Sequence, residues 1–335
     1  TGGAGFIGSH LVDALVDHGD DVVVMDDLSG GFKRNVPTGD ALLRGSVSRE
    51  QDVAAAFADG PFDVVFHLAA YAAEGLSHHI KRFNYENNLV GSVNLINAAV
   101  NADVGHFVFL SSAAVYGHAT GTLTELDLPE PIDSYGIAKL AVEAELAVTE
   151  RLFGLPYTIF RPHNVYGPYQ NIGDRYRNVV GIFMNRLMRG EPLPVFGNGE
   201  QKRAFTDIRD VAPGIARAPF VPESRNQVFN VGSDRAVTVN ELAQAVAKAF
   251  GETPRIEYLP AREEVELAWA DHSKFRSVFA PGPEHSLEEG IQHMANWARQ
   301  VGPRSSSVFT QVELTKHLPP SWAAALPQSD DPPPV

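Results

Sequence analysis

Residues 1–8 read TGGAGFIG, and this stretch decides the fold. Gly2, Gly5 and Gly8 have the spacing GxxGxxG, and a helical pattern follows directly. Glycines let a backbone approach a pyrophosphate closely, while the N-terminus of a helix offers unpaired N–H groups to the phosphates. Asp26 ends the next apolar run, where a carboxylate can accept both hydroxyls of an adenosine ribose. The pattern predicts a dinucleotide site, and Asp26 favours NAD over NADP because it would repel a 2′-phosphate.

Short apolar runs bounded by polar turns recur at residues 22–25, 63–66, 106–110 and 157–160. Their lack of alternation is typical of strands buried on both faces, and helical patterns separate them. We therefore predict an α/β fold with a Rossmann-type doubly wound parallel sheet. A glycine turn of this kind normally follows a buried strand, so we expect residues to precede Thr1.

The regular alternation of predicted strands and helices ends after Pro162, and the predicted loops become longer. Further along the chain, a helix is predicted from about Val239 to Phe250. We predict an NAD-binding domain over residues 1–162, to which some later segments return. Residues 163–302 are expected to form mainly a smaller, mixed α/β substrate-binding lobe. Residues 303–335 are rich in Pro and Ser, so we expect an irregular tail without chemistry.

Composition excludes several classes of function. The 335 residues include 41 acidic and 27 basic side chains, and the formal net charge of -14 repels nucleic acid and anionic membranes. Cysteine is absent, which excludes disulfides and thiol catalysis and fits a reducing cytoplasm. No run of 18 apolar residues occurs. We expect a cytoplasmic protein without a membrane, nucleic-acid or metal partner.

Three side chains form a candidate catalytic group. Tyr135 and Lys139 are four residues apart in a helical pattern, so they share a face. An adjacent ammonium favours the phenolate form of tyrosine, which can then remove a proton from a sugar hydroxyl. Ser112 ends an apolar strand at the carboxyl edge of the predicted sheet, where ligands of such folds bind. Its hydroxyl can hold the reacting oxygen, although serine is also a common helix cap.

Seven further motifs carry a resemblance to a known family. They are HLAA at 67–70, SSAAVYG at 111–117, YGIAK at 135–139, RPHNVYGP at 161–168, FGNGEQKR at 196–203, DIRDV at 207–211 and WAD at 269–271. With residues 1–8 they resemble the nucleotide-sugar epimerases and dehydratases among the extended short-chain dehydrogenase/reductases. The similarity extends to about residue 300 and comes closest to the UDP-sugar 4-epimerases.

The resemblance implies a role for each matching residue. Catalysis would fall to Ser112, Tyr135 and Lys139. The NAD site would include Gly2, Gly5, Phe6, Ile7, Gly8, Asp26, Ser46, Val47, Leu68, Ala69, Ala70, Asn87, Tyr135 and Lys139. The UDP-sugar site would include Ser112, Tyr135, Asn164, Arg175, Arg177, Arg203 and Arg262. Within that set Asn164, Arg203 and Arg262 would contact the diphosphate, because guanidinium suits bidentate phosphate binding.

The choice of reaction depends on two alanines. Family members that eliminate water carry an acidic pair where this chain has Ala113 and Ala114. UDP-glucuronate decarboxylases typically have glutamate at the position of Ala114, so that alternative is weakened. What remains is 4-epimerisation of a UDP-hexose through a transient 4-keto sugar. UDP-glucose/UDP-galactose and UDP-glucuronate/UDP-galacturonate are both candidates, and Arg175 and Arg177 tip the balance towards glucuronate because either could meet a C6 carboxylate.

Two further expectations concern other classes of function and assembly. A non-catalytic module that holds NAD is the alternative from a different class, and the intact catalytic group argues against it. Related enzymes are commonly dimers that pair two helices from each subunit. Here the pairing helices would lie near residues 84–101 and 134–153, so we expect a homodimer.

Overall fold

The computed structural model describes residues 1–36, 42–118, 121–261, 267–268, 270–305 and 309–324. The strands described are β1 Val24–Asp26, β2 Leu42–Arg44, β3 Val64–His67, β4 His106–Leu110, β5 Tyr157–Pro162, β6 Val165–Tyr166, β7 Leu193–Phe196, β8 Lys202–Ala204, β9 Thr206–Asp207, β10 Gln227–Val231, β11 Ala236–Thr238, β12 Ile256–Leu259 and β13 Leu267–Ala268. The helices described are α1 Phe6–His18, α2 Glu50–Ala58, α3 Glu74–Ser77, α4 Lys81–Tyr85, α5 Gly91–Asn101, α6 Ser134–Phe153, α7 Val179–Met188, α8 Ala212–Arg217, α9 Val239–Phe250, α10 Ser273–Phe279, α11 Leu287–Val301 and α12 Pro320–Ala323.

A parallel sheet lies at the centre of the first part of the chain. Strands β10, β5, β4 and β3 pair in that order, and β1 pairs separately with β2. The backbone of Thr1 and Gly2 joins the two groups. The amino group of Thr1 donates to the carbonyl oxygen of Phe66 at 2.7 Å, and the N–H of Gly2 donates to that of Met25 at 2.9 Å. The carbonyl oxygen of Thr1 accepts a hydrogen bond from the N–H of Leu68 at 3.1 Å.

Helices cover both faces of this sheet. On one face, α1, α8 and α10 bury Leu11, Ile215 and Phe279 against the strands. On the other face, α2, α5 and α6 bury Val53, Ile96 and other apolar residues. The prediction of a doubly wound α/β fold is thus confirmed. Strand β10, which comes much later in the chain, also pairs with β5 in this sheet.

A second apolar core lies among the later elements. Helices α7, α9 and α11 pack Phe183, Leu242 and Met294 against β7. Helix α9 has the predicted bounds, because Thr238 and Glu241 form a capping box at its start. Gly251 ends the helix in the left-handed region, at φ 75°.

Helix α6 carries two of the candidate catalytic residues. The Asp133 side chain accepts a hydrogen bond from the N–H of Gly136 and fixes where the helix begins. Gly154 ends it with φ 73°. The start of α6 is therefore held at the carboxyl edge of the sheet, next to the loop after β4.

The described part of the C-terminal tail packs against the earlier part of the chain. Residues 309–324 include the short helix α12, and Trp322 is buried against Leu76 and Ile80. Within the described ranges, no helix is both long and apolar enough to cross a lipid bilayer.

Phe229→Ala tests the contribution of β10 to the sheet. The ring is fully buried, stacks on Phe160 and meets Phe279 edge-on. We expect the substitution to lower the free energy of unfolding by about 3–5 kcal/mol, because a large cavity forms in a packed core. Urea denaturation measures this loss. The matched control, Phe220→Ala at a ring that is 55% exposed, should lose far less, and equal losses would contradict the prediction.

Candidate active site

The glycine turn brings the backbone and helix α1 into very close contact. Gly2 has φ 77°, and a Cβ on Gly2 would lie 2.6 Å from the backbone nitrogen of Ala69. A Cβ on Gly8 would lie 2.1 Å from the carbonyl oxygen of Gly2. Neither position has room for a side chain, so the N-terminus of α1 sits directly above the end of the sheet. Gly5 precedes the helix, and the N–H groups of its first turn face a cleft.

Asp26 is held in place at the end of β1. Its carboxylate accepts hydrogen bonds from the N–H groups of Ala4 at 3.0 Å and Leu28 at 2.8 Å. The side chain is nearly buried and lines the same cleft. Lys33 and Arg34 do not line it, so neither cation compensates the carboxylate where a 2′-phosphate would lie. These residues fit NAD better than NADP.

One cleft of about 1320 Å³ brings almost all the predicted site residues together. The predicted residues that line it are Gly2, Gly5, Phe6, Ile7, Gly8, Asp26, Ser46, Val47, Leu68, Ala69, Ala70, Asn87, Ser112, Tyr135, Lys139, Asn164, Arg177 and Arg203. Arg175 does not line it, and Arg262 lies outside the described residues. Elements from the parallel sheet and from the later lobe both contribute walls, so the cleft runs between them.

Tyr135 and Ser112 meet inside the cleft. The Ser112 hydroxyl accepts a hydrogen bond from the N–H of Ala114 at 3.1 Å, so its own proton is directed elsewhere. Burial and the charge of Glu74 raise the pKa of Tyr135, and its hydrogen bond with Ser112 opposes this shift. The expected preference for phenolate is therefore absent from the protein alone. A nicotinamide cation bound beside the phenol would shift the balance back.

Lys139 is buried beneath the cleft. Its ammonium donates a hydrogen bond to the carbonyl oxygen of Leu110 at 2.7 Å and lies 5.8 Å from the centre of the Tyr135 ring. Burial lowers the pKa of Lys139 from 10.5 to about 7, while Glu143 opposes this shift. The lysine is thus held near the point where it can change protonation state at neutral pH.

A buried ion pair lies behind Lys139. Glu143 continues the face of Tyr135 and Lys139 along α6 and pairs with Arg161 at 2.5 Å. Arg161 also donates to the phenol oxygen of Tyr116 at 2.7 Å. Sequence reasoning missed this network, although the spacing of four residues between Lys139 and Glu143 was a usable signal.

The polar residues predicted to contact substrate differ in their surroundings. Asn164 adopts φ 44° at the cleft wall, and its carbonyl accepts from the N–H of Thr206. Arg203 lies on β8 at the lobe side and donates to the Lys202 carbonyl oxygen at 2.9 Å. Arg177 makes two hydrogen bonds to Asp174, at 2.7 and 2.5 Å. Its charge is therefore already compensated inside the protein.

Other cleft residues were not singled out from the sequence. Glu74 lines the cleft at α3, and its charge raises the pKa of Tyr135. Lys316, Pro319 and Trp322 line it from the C-terminal tail. Aromatic residues in a proline-rich, polar stretch were the only sequence signal for the tail. In the part of the chain that the structure describes, no group of three or more His, Asp or Glu side chains could hold a metal ion.

Comparison with known proteins assigns the family. The model of the NAD dependent epimerase/dehydratase family matches residues 1–232, and the chain belongs to that family. The resemblance to the extended short-chain dehydrogenase/reductases is thus confirmed.

Individual relatives match along nearly their whole length. The UDP-glucose 4-epimerase of Mycolicibacterium smegmatis is 33% identical over 307 residues, which cover 89% of this chain and 97% of that protein. The crystal structure of Thermotoga maritima UDP-glucose 4-epimerase with UDP-glucose has a TM-score of 0.85 and 34% identity, covering 90% and 97% of the two chains. The Bacillus cereus UDP-glucuronic acid 4-epimerase with UDP-glucuronic acid and NAD has a TM-score of 0.82 and 28% identity, covering 90% and 98%. The protein is therefore similar to nucleotide-sugar epimerases of differing substrates.

Lys139→Met tests the burial of the ammonium. Between pH 7 and pH 10.5 the unfolded chain binds a proton that the folded chain lacks, so this group makes stability rise with pH. We expect the variant without cofactor to be more stable than the wild type at pH 7, with the difference shrinking towards pH 10.5. Urea denaturation across this range measures the difference. Lys248→Met, at an exposed lysine of α9, is the control; a difference that does not change with pH would refute the assignment.

Proposed function

We propose that the protein is an isomerase that inverts C4 of a UDP-hexose through a transient 4-keto sugar, with NAD as its resident cofactor. The observation that carries the proposal is the meeting of Ser112, Tyr135 and Lys139 with the glycine turn in one cleft. Bound NAD would accept a hydride from C4 and return it to the other face. The side chains of the protein would transfer the proton and bind the sugar and the diphosphate.

Each catalytic side chain has a distinct part in this proposal. The Tyr135 phenol oxygen takes the proton of the C4 hydroxyl and later returns it. The Ser112 hydroxyl, fixed by the Ala114 N–H, donates to the same sugar oxygen. Lys139, 5.8 Å from the centre of the Tyr135 ring, would favour the phenolate when it carries its charge and, as the family resemblance implies, would hold the nicotinamide ribose. Burial of all three side chains keeps water away from the reacting carbon.

The diphosphate would be anchored while the sugar turns over. Arg203 on β8 and Asn164, whose carbonyl accepts from the N–H of Thr206, both line the cleft and offer N–H donors to the diphosphate oxygens. Both residues lie on the lobe side of the cleft, away from Asp26. A fixed diphosphate and a rotating sugar allow hydride to leave one face of C4 and return to the other.

We propose a neutral UDP-hexose, UDP-glucose or UDP-galactose, as the substrate. The argument for glucuronate depended on Arg175 and Arg177, but Arg175 lies outside the cleft wall and Arg177 is paired with Asp174. The relatives from M. smegmatis and T. maritima, both named UDP-glucose 4-epimerases, support the same choice.

The alanines at the site disfavour the other reactions. Ala113 and Ala114 line the cleft directly after Ser112, and their methyl groups can neither give nor take a proton. Elimination of water and decarboxylation are therefore less well supported than epimerisation. A protein that merely holds NAD would not need the catalytic group.

The substrate is tested by incubating purified protein with UDP-glucose and, separately, UDP-glucuronate, without added cofactor. We expect UDP-glucose to yield its C4 epimer at unchanged mass, because resident NAD is regenerated in each cycle. Proton NMR and mass spectrometry follow the products. Faster turnover of UDP-glucuronate would overturn the choice of sugar, and loss of carbon dioxide from it would establish a decarboxylase instead.

Tyr135→Phe separates an enzyme from an NAD-holding module. Removal of the phenol oxygen should lower kcat by about 10²- to 10⁴-fold, the usual contribution of a general base. Bound NAD, measured by mass spectrometry of the intact complex, should be unchanged. Tyr258→Phe, at an exposed tyrosine, is the matched control. Equal turnover of both variants would remove Tyr135 from the mechanism.

We propose that the protein forms a homodimer through α6. Ile137, Val148 and Leu152 are 43%, 38% and 63% exposed, and their spacing places them on one face of that helix. Val90 is also exposed and lies directly before the first residue of α5. Apolar side chains at helical spacing on a surface favour pairing with a second copy.

Leu152→Glu tests the homodimer. The charge would be desolvated if two copies of α6 packed together, so we expect a monomer in sedimentation velocity at concentrations where the wild type is a dimer. Circular dichroism should show an unchanged fold, because Leu152 is exposed in one chain. Phe220→Glu, also at an exposed apolar residue, is the control. A dimer in the Leu152 variant would exclude this surface.

A further inference from the structure

The C-terminal strap, defined here as residues 302–305 and 309–324, runs between the two walls of the cleft. Its first anchor is on the lobe. Asn185 of α7 exchanges two hydrogen bonds with the backbone of Arg304, at 2.8 and 3.0 Å. Ser305 then passes close to Gly173: a Cβ on Gly173 would lie 2.7 Å from the carbonyl oxygen of Ser305. The strap therefore begins in firm contact with the substrate lobe.

The second anchor is on the opposite wall, at α4. The Glu313 carboxylate accepts the N–H groups of Arg82 at 2.8 Å and Phe83 at 2.9 Å. Helices leave such first-turn donors without internal partners, and a carboxylate stabilises them. The backbone N–H groups of Glu313 and Leu314 also donate to the carbonyl oxygen of His79. One glutamate thus ties the strap to the wall formed by α3 and α4.

Apolar contacts extend this second anchor. Phe309 meets Phe83 with ring centres 4.9 Å apart and Tyr71 at 5.4 Å. Trp322, which is buried, packs against Leu76 and Ile80 on this wall, and it also meets the ring of Tyr176 edge-on at 5.1 Å. Aromatic side chains of this size bury large areas. The strap is accordingly packed as a structural part of the protein.

The position of Trp322 shows which end of the cleft the strap covers. Its ring would lie 3.5 Å from a Cβ on Gly75, the residue after Glu74. Ser77, on the same helix α3, accepts a hydrogen bond from the N–H of Tyr135 at 3.2 Å, so the strap lies at the end where the sugar would react. The strap residues that line the cleft are Leu314, Lys316, His317, Pro319 and Trp322.

We propose that the strap is part of the substrate site and closes the sugar end of the cleft. This inference depends on the proposed epimerisation. By bridging the lobe and α4 the strap would exclude water and retain the 4-keto sugar until hydride returns. Its apolar residues, with Trp322 deepest, limit how large a sugar the cleft accepts.

Glu313→Ala in the full chain releases the α4 anchor without touching the catalytic residues. We expect the KM for UDP-glucose to rise roughly tenfold, the size of effect that loss of a helix cap produces. Reduced cofactor should accumulate during turnover, because the 4-keto sugar escapes before hydride returns. Activity on bulkier UDP-N-acetylglucosamine, relative to UDP-glucose, should increase. Glu252→Ala, at an exposed glutamate after α9, is the matched control and should match the wild type in every assay.

Two measurements confirm that release of the strap causes the change. Hydrogen exchange at the amides of Arg82 and Phe83 should accelerate in Glu313→Ala and remain slower in Glu313→Gln, which keeps one acceptor oxygen. Trp322→Ala, which weakens the same anchor from another contact, should reproduce the kinetic changes. Faster exchange with unchanged KM, unchanged cofactor reduction and unchanged sugar preference would reduce the strap to a structural element. Unchanged exchange would remove Glu313 as an anchor and overturn the proposal.

Calorimetry separates failure of this inference from failure of the proposed function. UDP itself should bind wild type and Glu313→Ala equally, while UDP-glucose should bind the variant more weakly. Neither titration requires turnover. A wild type that does not convert UDP-glucose would refute the choice of substrate, and equal UDP-glucose binding in both proteins would refute the strap.

Discussion

The contact between Gly2 and Gly8 is the constraint on which the rest of the structure depends. A carbonyl oxygen would lie 2.1 Å from any Cβ on Gly8, so only glycine lets α1 start directly at the edge of the sheet. That placement aims the first-turn N–H groups of the helix into the cleft. It also sets Thr1 and Gly2 between β1 and β3, where their hydrogen bonds join the two groups of strands. Asp26, at the end of β1, follows from the same arrangement.

A second constraint comes from burying a cation under that edge. Lys139 needs a carbonyl partner and a nearby negative charge to stay inside the protein. Leu110 supplies the first and Glu143 the second, and Arg161 in turn neutralises Glu143. A pair of this kind costs desolvation and is weak support for stability. Its role is better understood as setting the position and proton affinity of Lys139 beside Tyr135.

The cleft itself is made by chain segments far apart in sequence. Strand β8 brings Arg203 to the wall opposite Asp26, and residues 309–324 close one end. The strap crosses from α7 to α4, so both walls of the cleft are held by a single stretch of chain. Motion of the strap would therefore change access to the sugar end and leave the NAD end untouched.

The sequence by itself determined the features that depend on local geometry. The spacing of the glycines, the four-residue step from Tyr135 to Lys139 and the short apolar runs separated by helical patterns each follow from backbone sterics or the periodicity of secondary structure. These features led to the dinucleotide turn, the catalytic group and the doubly wound fold. Only the tertiary structure decided which polar side chains face the cleft. Arg175 and Arg177 are neighbours on a loop with no period, so nothing local distinguishes the one outside the cleft wall from the one paired with Asp174. The strap could not be predicted either, because Glu313 binds Arg82 and Trp322 packs against Leu76, each more than 200 residues earlier, through contacts that only the folded chain creates.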